Sequence, residues 1–447
     1  MGTMAFDHHR QRAPSILRLA ALLTAASLLA GCARVAPTSP ATAAPPSSAS
    51  ASAAVQSTVP ATATATSSPG ETPTTPAAAP LPSVGTTPSG NWSVLRWISA
   101  GPVFPVTPDT SAAPRSVVGW SRGYVGFRST IREGQAVPSS VFSPDGLRWV
   151  AGQPLDISGL SSEVGVGAIE GPSGLLAMGG YPSGTCGGPS PIAALWTSTD
   201  GLAWSRAPMP SASANVYMID GDSNGFIASG TLSDGTTPAV WLSGDGRSWR
   251  QIPLPGPNAG GIVVDGATTF AGGYVLSGAQ RVDVGCGASE FVPSLWWSTD
   301  GRAWTRSQLA GAVPASNVQV ITSRISDHAL MAIAMEWNDA GLNTQLVWVT
   351  ADGGTWKLVK SPSSLLGYGV LTDGQRGLAI SLPPDNQGPP TLATVGDDLS
   401  VTILSQTGDG PIASDSSPAW SFAFGPTGVL VYSLDGSNLW LGVPTAA

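Results

Sequence analysis

At 447 residues, with 55 glycines, 40 prolines, 16 tryptophans and 11% charged side chains, the chain suits many short strands joined by tight turns and reads unlike a helical bundle. The formal charge is −8 and the 20 cationic residues are scattered, which excludes the concentrated basic surface that nucleic acid requires. The 3 histidines are His8, His9 and His328, too few and too dispersed for a histidine metal centre, so no metal and no cofactor is expected.

Residues 8–18 are basic, residues 19–30 are continuously apolar or small, and Gly31 and Cys32 follow, which is the layout of a signal peptide over residues 1–31. The apolar stretch is shorter than the roughly 20 helical residues that span a bilayer. Leu29-Ala30-Gly31-Cys32 resembles the lipobox of bacterial lipoproteins. That resemblance implies cleavage before Cys32, lipid on its thiol, and a place on the outer face of the cytoplasmic membrane; the alternative is an ordinary secreted protein. Between residues 41 and 80 every residue except Val55, Gln56, Val59, Gly70 and Glu71 is Ala, Pro, Ser or Thr. Such a segment lacks the apolar groups that offset ordering entropy, so residues 32–90 are expected to form a disordered tether.

Beyond it the chain repeats itself. Ser143-Pro-Asp145-Gly-Leu-Arg-Trp149, Ser198-Thr-Asp200-Gly-Leu-Ala-Trp204, Ser243-Gly-Asp245-Gly-Arg-Ser-Trp249 and Ser298-Thr-Asp300-Gly-Arg-Ala-Trp304 share one pattern, and Thr350-Ala-Asp352-Gly-Gly-Thr-Trp356 changes only Ser to Thr. The aspartates lie 55, 45, 55 and 52 residues apart, the length of a four-stranded sheet with its turns. A worn sixth copy at Gly396-Asp397-Asp398 has Val401 in place of Trp, and Trp196, Trp241, Trp296 and Trp348 recur ahead of four of the loops. Asp-Gly between β-prone runs favours a tight hairpin, and the paired Trp columns are suited to packing between sheets. These segments resemble the Asp-box (BNR) repeats of sialidase-like propellers, with Gly directly after Asp and Trp one position early. The resemblance covers residues 92–444 and implies a fold more than an activity.

The fold expected for residues 91–447 is therefore all-β, a seven-bladed β-propeller. Second-strand runs fall at 124–127, 175–181, 226–229, 271–276, 330–335, 378–382 and 429–434, which makes seven. The last blade stops after Leu439-Trp440-Leu441, so the orphan segment Asn91-Trp92 to Trp97 is expected to supply its fourth strand and close the ring. If that segment hangs free, six blades and an irregular cap are the alternative.

Glu170, Asp220, Asp265 and Asp373 each precede Gly at the end of a first strand and read as turn residues, with calcium or catalytic acids as the alternative. Cys186 and Cys286 each stand ten residues before a third-strand Trp, in blades 2 and 4. The short loop of blade 3 leaves room for a disulfide between them above it, the alternative being two separate thiols. Arg115, Tyr181, Tyr274, Arg281, Glu290 and Arg324 are the ligand-binding candidates, with Phe291 as a loop aromatic and Glu163 and Glu336 as further acids. No catalytic residue is assigned. The expectation is a noncatalytic recognition or scaffold module for a protein or glycan, the alternative an exo-glycosidase of sialidase-like type at the channel mouth.

Overall fold

The β-prone runs pair with their sequence neighbours, and in the computed structural model this builds seven antiparallel blades. The structure describes residues 91–99, 114, 116–132, 135–160, 165–180, 191–255, 261–285, 288–338, 341–359, 369–372, 377–381, 391–407, 420–433 and 438–445. Cys32, Arg115, Glu163, Tyr181, Cys186, Cys286 and Asp373 lie outside the described residues, as do the signal peptide and tether.

Blade 1 is β2 (Ser116–Trp120), β3 (Gly123–Arg132), β4 (Gln135–Ser143) and β5 (Val150–Pro154). Blade 2 is β6 (Gly165–Gly171), β7 (Gly174–Gly180), β8 (Ile192–Ser198) and β9 (Ser205–Ala207). Blade 3 is β10 (Asn215–Asp222), β11 (Gly225–Thr231), β12 (Pro238–Ser243) and β13 (Arg250–Ile252). Blade 4 is β14 (Ile262–Phe270), β15 (Gly273–Gly285), β16 (Ala288–Ser298) and β17 (Thr305–Arg306). Blade 5 is β18 (Asn317–Ser326), β19 (Ala329–Asn338), β20 (Gly341–Thr350) and β21 (Lys357–Leu358). Blade 6 is β22 (Gly369–Thr372), β23 (Gly377–Ser381), β24 (Thr391–Val395) and β25 (Val401–Ile403). Blade 7 comprises β27 (Trp420–Gly425), β28 (Gly428–Ser433) and β29 (Leu439–Thr445).

The N-terminal strand β1 (Asn91–Ser99) pairs antiparallel with β29 and closes blade 7, with Trp97 opposite Gly442. Beyond the expectation, β26 (Ser405–Thr407) adds a fifth strand, parallel to β1 and on its outer side. It covers the edge that β1 would otherwise leave open. The innermost strands β2, β6, β10, β14, β18, β22 and β27 contact one another in cyclic order, so the ring is closed around a central channel.

Seven apolar clusters fill the seven seams between blades. In the seams where blades 2 to 5 meet the preceding blade, both indoles of the later blade lie in the seam: Trp196 with Trp204, Trp241 with Trp249, Trp296 with Trp304, Trp348 with Trp356. Burying one such ring is worth on the order of 4–6 kcal/mol of transfer free energy. Blade 6 carries Ala393 and Val401 at these positions, and its seam with blade 5 is filled by aliphatic side chains such as Ile325, Met331 and Leu399.

Each hairpin between first and second strands ends close beneath a third strand, and glycine makes room there. Gly123, Gly174, Gly225 and Gly428 open their second strands at φ between 117° and 151°. A Cβ on Gly174 would lie 2.4 Å from the Ser198 carbonyl oxygen, and one on Gly225 would lie 2.7 Å from that of Ser243. The sequence reading places residue 271 in a strand, but Ala271 (φ 47°) and Gly272 (φ 75°) form the two-residue turn between β14 and β15. Two consecutive positive φ values match the strand twist as a type I′ turn does.

Gly174→Ala is expected to destabilise by about 2–3 kcal/mol, through positive φ and a backbone clash together. Gly167→Ala, where nothing lies within 4 Å, should stay within about 0.5 kcal/mol of the parent. Urea unfolding of both variants tests the difference; equal midpoints would remove the packing argument.

Candidate functional site

The blades place two kinds of surface at opposite ends of the channel. One end carries the hairpins between second and third strands and the links between blades, and is called here the hairpin face. The other carries the turns between first and second strands and the Ser-x-Asp-Gly loops, and is called the loop face.

On the loop face the repeated carboxylates are committed to their own loops. Oδ1 of Asp145, Asp200, Asp245, Asp300 and Asp352 accepts the backbone N–H groups two and three residues on, at 2.7–3.1 Å. The hydroxyl of Ser143, Ser198, Ser243, Ser298 or Thr350 donates to that same oxygen and accepts the glycine N–H at 2.8–3.0 Å. The tight two-residue hairpin expected from Asp-Gly is therefore replaced by a longer loop closed on a side chain. Only its glycine takes positive φ, 69° to 80°, while the aspartate folds back to bind N–H groups. Indole Nε1 of Trp149, Trp204 and Trp356 then donates to the loop glycine's carbonyl at 3.0–3.3 Å. Trp304 instead donates to Pro253 O of blade 3, at 3.0 Å. The Ser248 and Arg247 N–H groups bring the Asp245 carboxyl down to about 2.

The acids that precede glycine in the first strands do something the sequence reading missed. Asp220 and Asp265 sit within strands, not turns, and reach across to the next blade. Asp220 Oδ2 accepts Thr269 N–H at 2.9 Å, and Asp265 Oδ2 accepts Val320 N–H at 2.9 Å. Glu170 Oε2 accepts Ser121 N–H of blade 1 at 2.9 Å. Arg324 ties three blades together at the loop end of the channel. Its guanidinium donates to the carbonyl oxygen of Thr269 and, at 2.8 Å, to its Oγ1, and stands 3.8–3.9 Å from carboxylate oxygens of Asp220, Asp222 and Asp327. Burial pushes the Asp220 carboxyl above its usual range, against the pull of Arg324 and the Thr269 N–H.

On the hairpin face, the hairpins of blades 1, 4 and 5 are long, pairing out to Arg132 with Gln135, Gly285 with Ala288, and Asn338 with Gly341. Blade 3 ends instead in a compact turn, in which Asp234 accepts N–H groups of Thr236 and Thr237 at 2.8 and 2.7 Å. The blade 4 hairpin is braced sideways, because Phe291 and Ala315 of the following link exchange backbone hydrogen bonds at 2.9 and 3.0 Å. Arg281 and Asp283 are exposed along it, Val284 is 47% exposed, and Val313 of the link is 53% exposed.

The candidates named from sequence divide between the two ends of the channel, with Tyr274 and Arg324 both near Asp222 at the loop end and Arg281 and Glu290 toward the hairpin end. Tyr274 is the second residue of β15, next to the loop face, so it is a strand residue rather than a loop aromatic; burial and Asp222 raise its hydroxyl pKa. Arg281 lies seven residues up the same strand, about 23 Å away. Arg281 pairs across the hairpin with Phe291, and Val282 pairs with Glu290, so Arg281 and Glu290 point to opposite faces of the ribbon. Arg324 belongs to the other end of the channel.

One acid stands out toward the hairpin face. Glu336, near the hairpin end of β19, is 3% exposed, its register partner in β18 is the apolar Val318, and its Oε1 has no hydrogen-bond partner. Burial pushes its carboxyl above the usual range. A carboxylate on a strand gives no sequence signal of this kind, because its solvation is decided by the neighbouring blade.

No family model matches the chain, and no curated protein does. Among solved structures it is similar to an inactive variant of virginiamycin B lyase from Staphylococcus aureus, at 11% identity over 78% of this chain and 99% of that one, TM-score 0.44. It is also similar to the β-propeller domain of the Trilobed protease from Pyrococcus furiosus (8% identity, 75% and 94% covered, TM-score 0.41). The α-L-arabinanase of Penicillium chrysogenum is a third (14% identity, 72% and 98% covered, TM-score 0.33). At these identities the likeness concerns the fold alone.

Two pH responses of opposite sign follow. Asp245 titrates lower in the folded chain than unfolded, so its stabilisation is complete above about pH 4 and is lost as pH falls toward 2. Asp245→Ala should cost about 1–2 kcal/mol at neutral pH and less at pH 2. Glu336 titrates higher when folded, so its ionisation removes stability as pH rises above about 4. Glu336→Gln should therefore melt above the parent at pH 8 and level with it at pH 4. Calorimetry from pH 2 to pH 8 reads both, and parallel parent and variant curves would contradict these environments.

Proposed function

We propose that this chain is an exported lipoprotein, held by lipid on Cys32 at the outer face of the cytoplasmic membrane. Its propeller recognises a protein or glycan ligand through the hairpin face, without catalysis. The observation that carries this reading is the separation of the reactive candidates. Arg324 is spent on holding blades 3, 4 and 5 together at the loop end, and Arg281 and Glu290 point apart toward the hairpin end, so the arginines named from sequence, where described, do not gather in one pocket. What remains presented is a braced hairpin with the exposed Arg281, Asp283 and Val284, a mixed polar and apolar rim of the kind that binds surfaces. The closed loop geometry around Asp145, Asp200, Asp245, Asp300 and Asp352 supports the Asp-box reading of the repeats and leaves those acids a structural role. Residues 32–90 act as the tether, and a Cys186–Cys286 disulfide would stiffen the same face.

A second reading, an exo-glycosidase of sialidase-like type, is favoured by one observation. Glu336 is a buried acid with an unpartnered oxygen and a raised pKa near the hairpin face, which is the condition of a general acid before substrate enters.

The full chain, purified from membranes, is to be applied to a glycan array and to surface proteins of its host, with hydrolysis assays in parallel. Capture without turnover is expected, weakened tenfold or more by Arg281→Ala or Val284→Asp. Sugar release that disappears in Glu336→Gln would replace the first reading with the second. Labelling with a radioactive fatty acid, retained by the parent and absent in Cys32→Ala, tests the anchor.

A further inference from the structure

Where blades 3, 4 and 5 meet along the channel wall there is a small cavity of about 20 Å³, lined by Met218, Asp265, Gly266, Ser277, Gln319 and Thr322 among others. Its size suits one water-sized occupant. Two observations give it the character of a built site. Ser277 is 1% exposed and its Oγ has no hydrogen-bond partner, although a buried hydroxyl left so costs about 1–3 kcal/mol. Gly266 supplies the space beside it: a Cβ there would sit 3.0 Å from Ser277 Oγ and 3.2 Å from Met218 Sδ.

The lining side chains are rigidly placed. Asp265 stands at a register shift of β14 and its Oδ2 accepts Val320 N–H at 2.9 Å, which fixes the carboxylate against blade 5. Thr322 Oγ1 lies 2.7 Å from Thr268 Oγ1, an oxygen pair spanning the same seam. Apart from the Met218 thioether, the side-chain heteroatoms on the blade 4 side of the cavity are the oxygens of Asp265, Ser277 and Thr322, a donor set for a hard cation, while Gln319, three positions from Thr322 on β18, directs its side chain to the other face. The local field has the same sign. Among the described residues, the inner strands of blades 3 to 5 and their turns carry Asp220, Asp222, Asp265 and Asp327, with Arg324 and His328 as the only basic side chains. Such a wall concentrates cations.

We propose that this cavity is a sodium-class monovalent cation site, coordinated by Ser277 Oγ, the Asp265 carboxylate and neighbouring oxygens, that clasps blades 4 and 5 from the channel side, with Met218 of blade 3 closing it. A divalent ion is disfavoured by the single carboxylate in the lining, since calcium takes about six to eight oxygens and usually several charges. The sequence gave no hint of such a site, because its oxygen donors come from two blades and include a serine that the sequence makes unremarkable.

The test uses the full chain at constant ionic strength, exchanging sodium for choline. The thermal midpoint of the parent is expected to rise by about 2–3 °C in a saturable manner as sodium replaces choline, and the sodium NMR line to broaden on adding protein. Ser277→Ala, which removes the oxygen, and Gly266→Ala, which fills the space, should each abolish both responses. If Gly266→Ala does not fold, Ser277→Ala alone decides. Equal parent midpoints in the two salts, responses unchanged in Ser277→Ala, or a response to calcium with none to sodium would overturn the proposal and leave a water in the cavity.

Discussion

An indole ring wedged between two twisted sheets fixes their spacing and angle at once, and this contact, repeated from seam to seam, is what turns separate blades into a ring. Trp196, Trp241, Trp296 and Trp348, on third strands, each lie in a seam, with Trp204, Trp249, Trp304 and Trp356 in the same seams. The Ser-x-Asp-Gly loop serves that packing. By drawing N–H groups onto one carboxylate oxygen it sets the loop shape, and the shape aims the following indole at the preceding blade. Where the loop is worn, at Asp397 and Asp398, the turn relies instead on Leu399 at φ 64° with its side chain buried, and the seam becomes aliphatic.

Packing alone leaves the channel wall unconstrained, and the inner strands supply a second system of bonds. Carboxylates of Glu170, Asp220 and Asp265 cross from blade to blade to backbone N–H groups, and Arg324 gathers blades 3, 4 and 5. The bonds of Asp220, Asp265 and Arg324 are part-buried in the channel wall, where water competes less than at the outer surface, so each is worth more than a surface ion pair, whereas that of Glu170 is exposed. The hairpin end exposes Arg281 and Val284 on a hairpin of blade 4, and hairpin length there differs from blade to blade.

Much of the architecture was legible because it repeats. A 45 to 55 residue spacing of Asp-Gly with Trp specified radial blades, and the missing fourth strand of the last blade called for the segment around Trp97. The fifth strand β26 was not legible, since three residues without alternation carry no pairing signal. The second-strand glycines, Gly174 and Gly225 among them, were overlooked although they recur, because their need arises from a carbonyl in a neighbouring strand. Asp220 and Asp265 were misread as turn residues for the same reason: Asp-Gly reads as a turn until a bulged strand and a facing blade give the carboxylate another donor.

By itself the sequence determined the local chemistry, meaning strand periodicity, the self-contained loops and the number of blades, because those depend on residues a few positions apart. Tertiary structure alone decided which side chains meet. Tyr274 and Arg281 share a strand yet face opposite ends of the channel, Arg324 joins aspartates about a hundred residues away, and Glu336 and Ser277 lose their solvent only when the next blade closes over them. The physical reason is that desolvation and charge pairing are properties of a seam between two sheets, and a seam is written in no single stretch of chain.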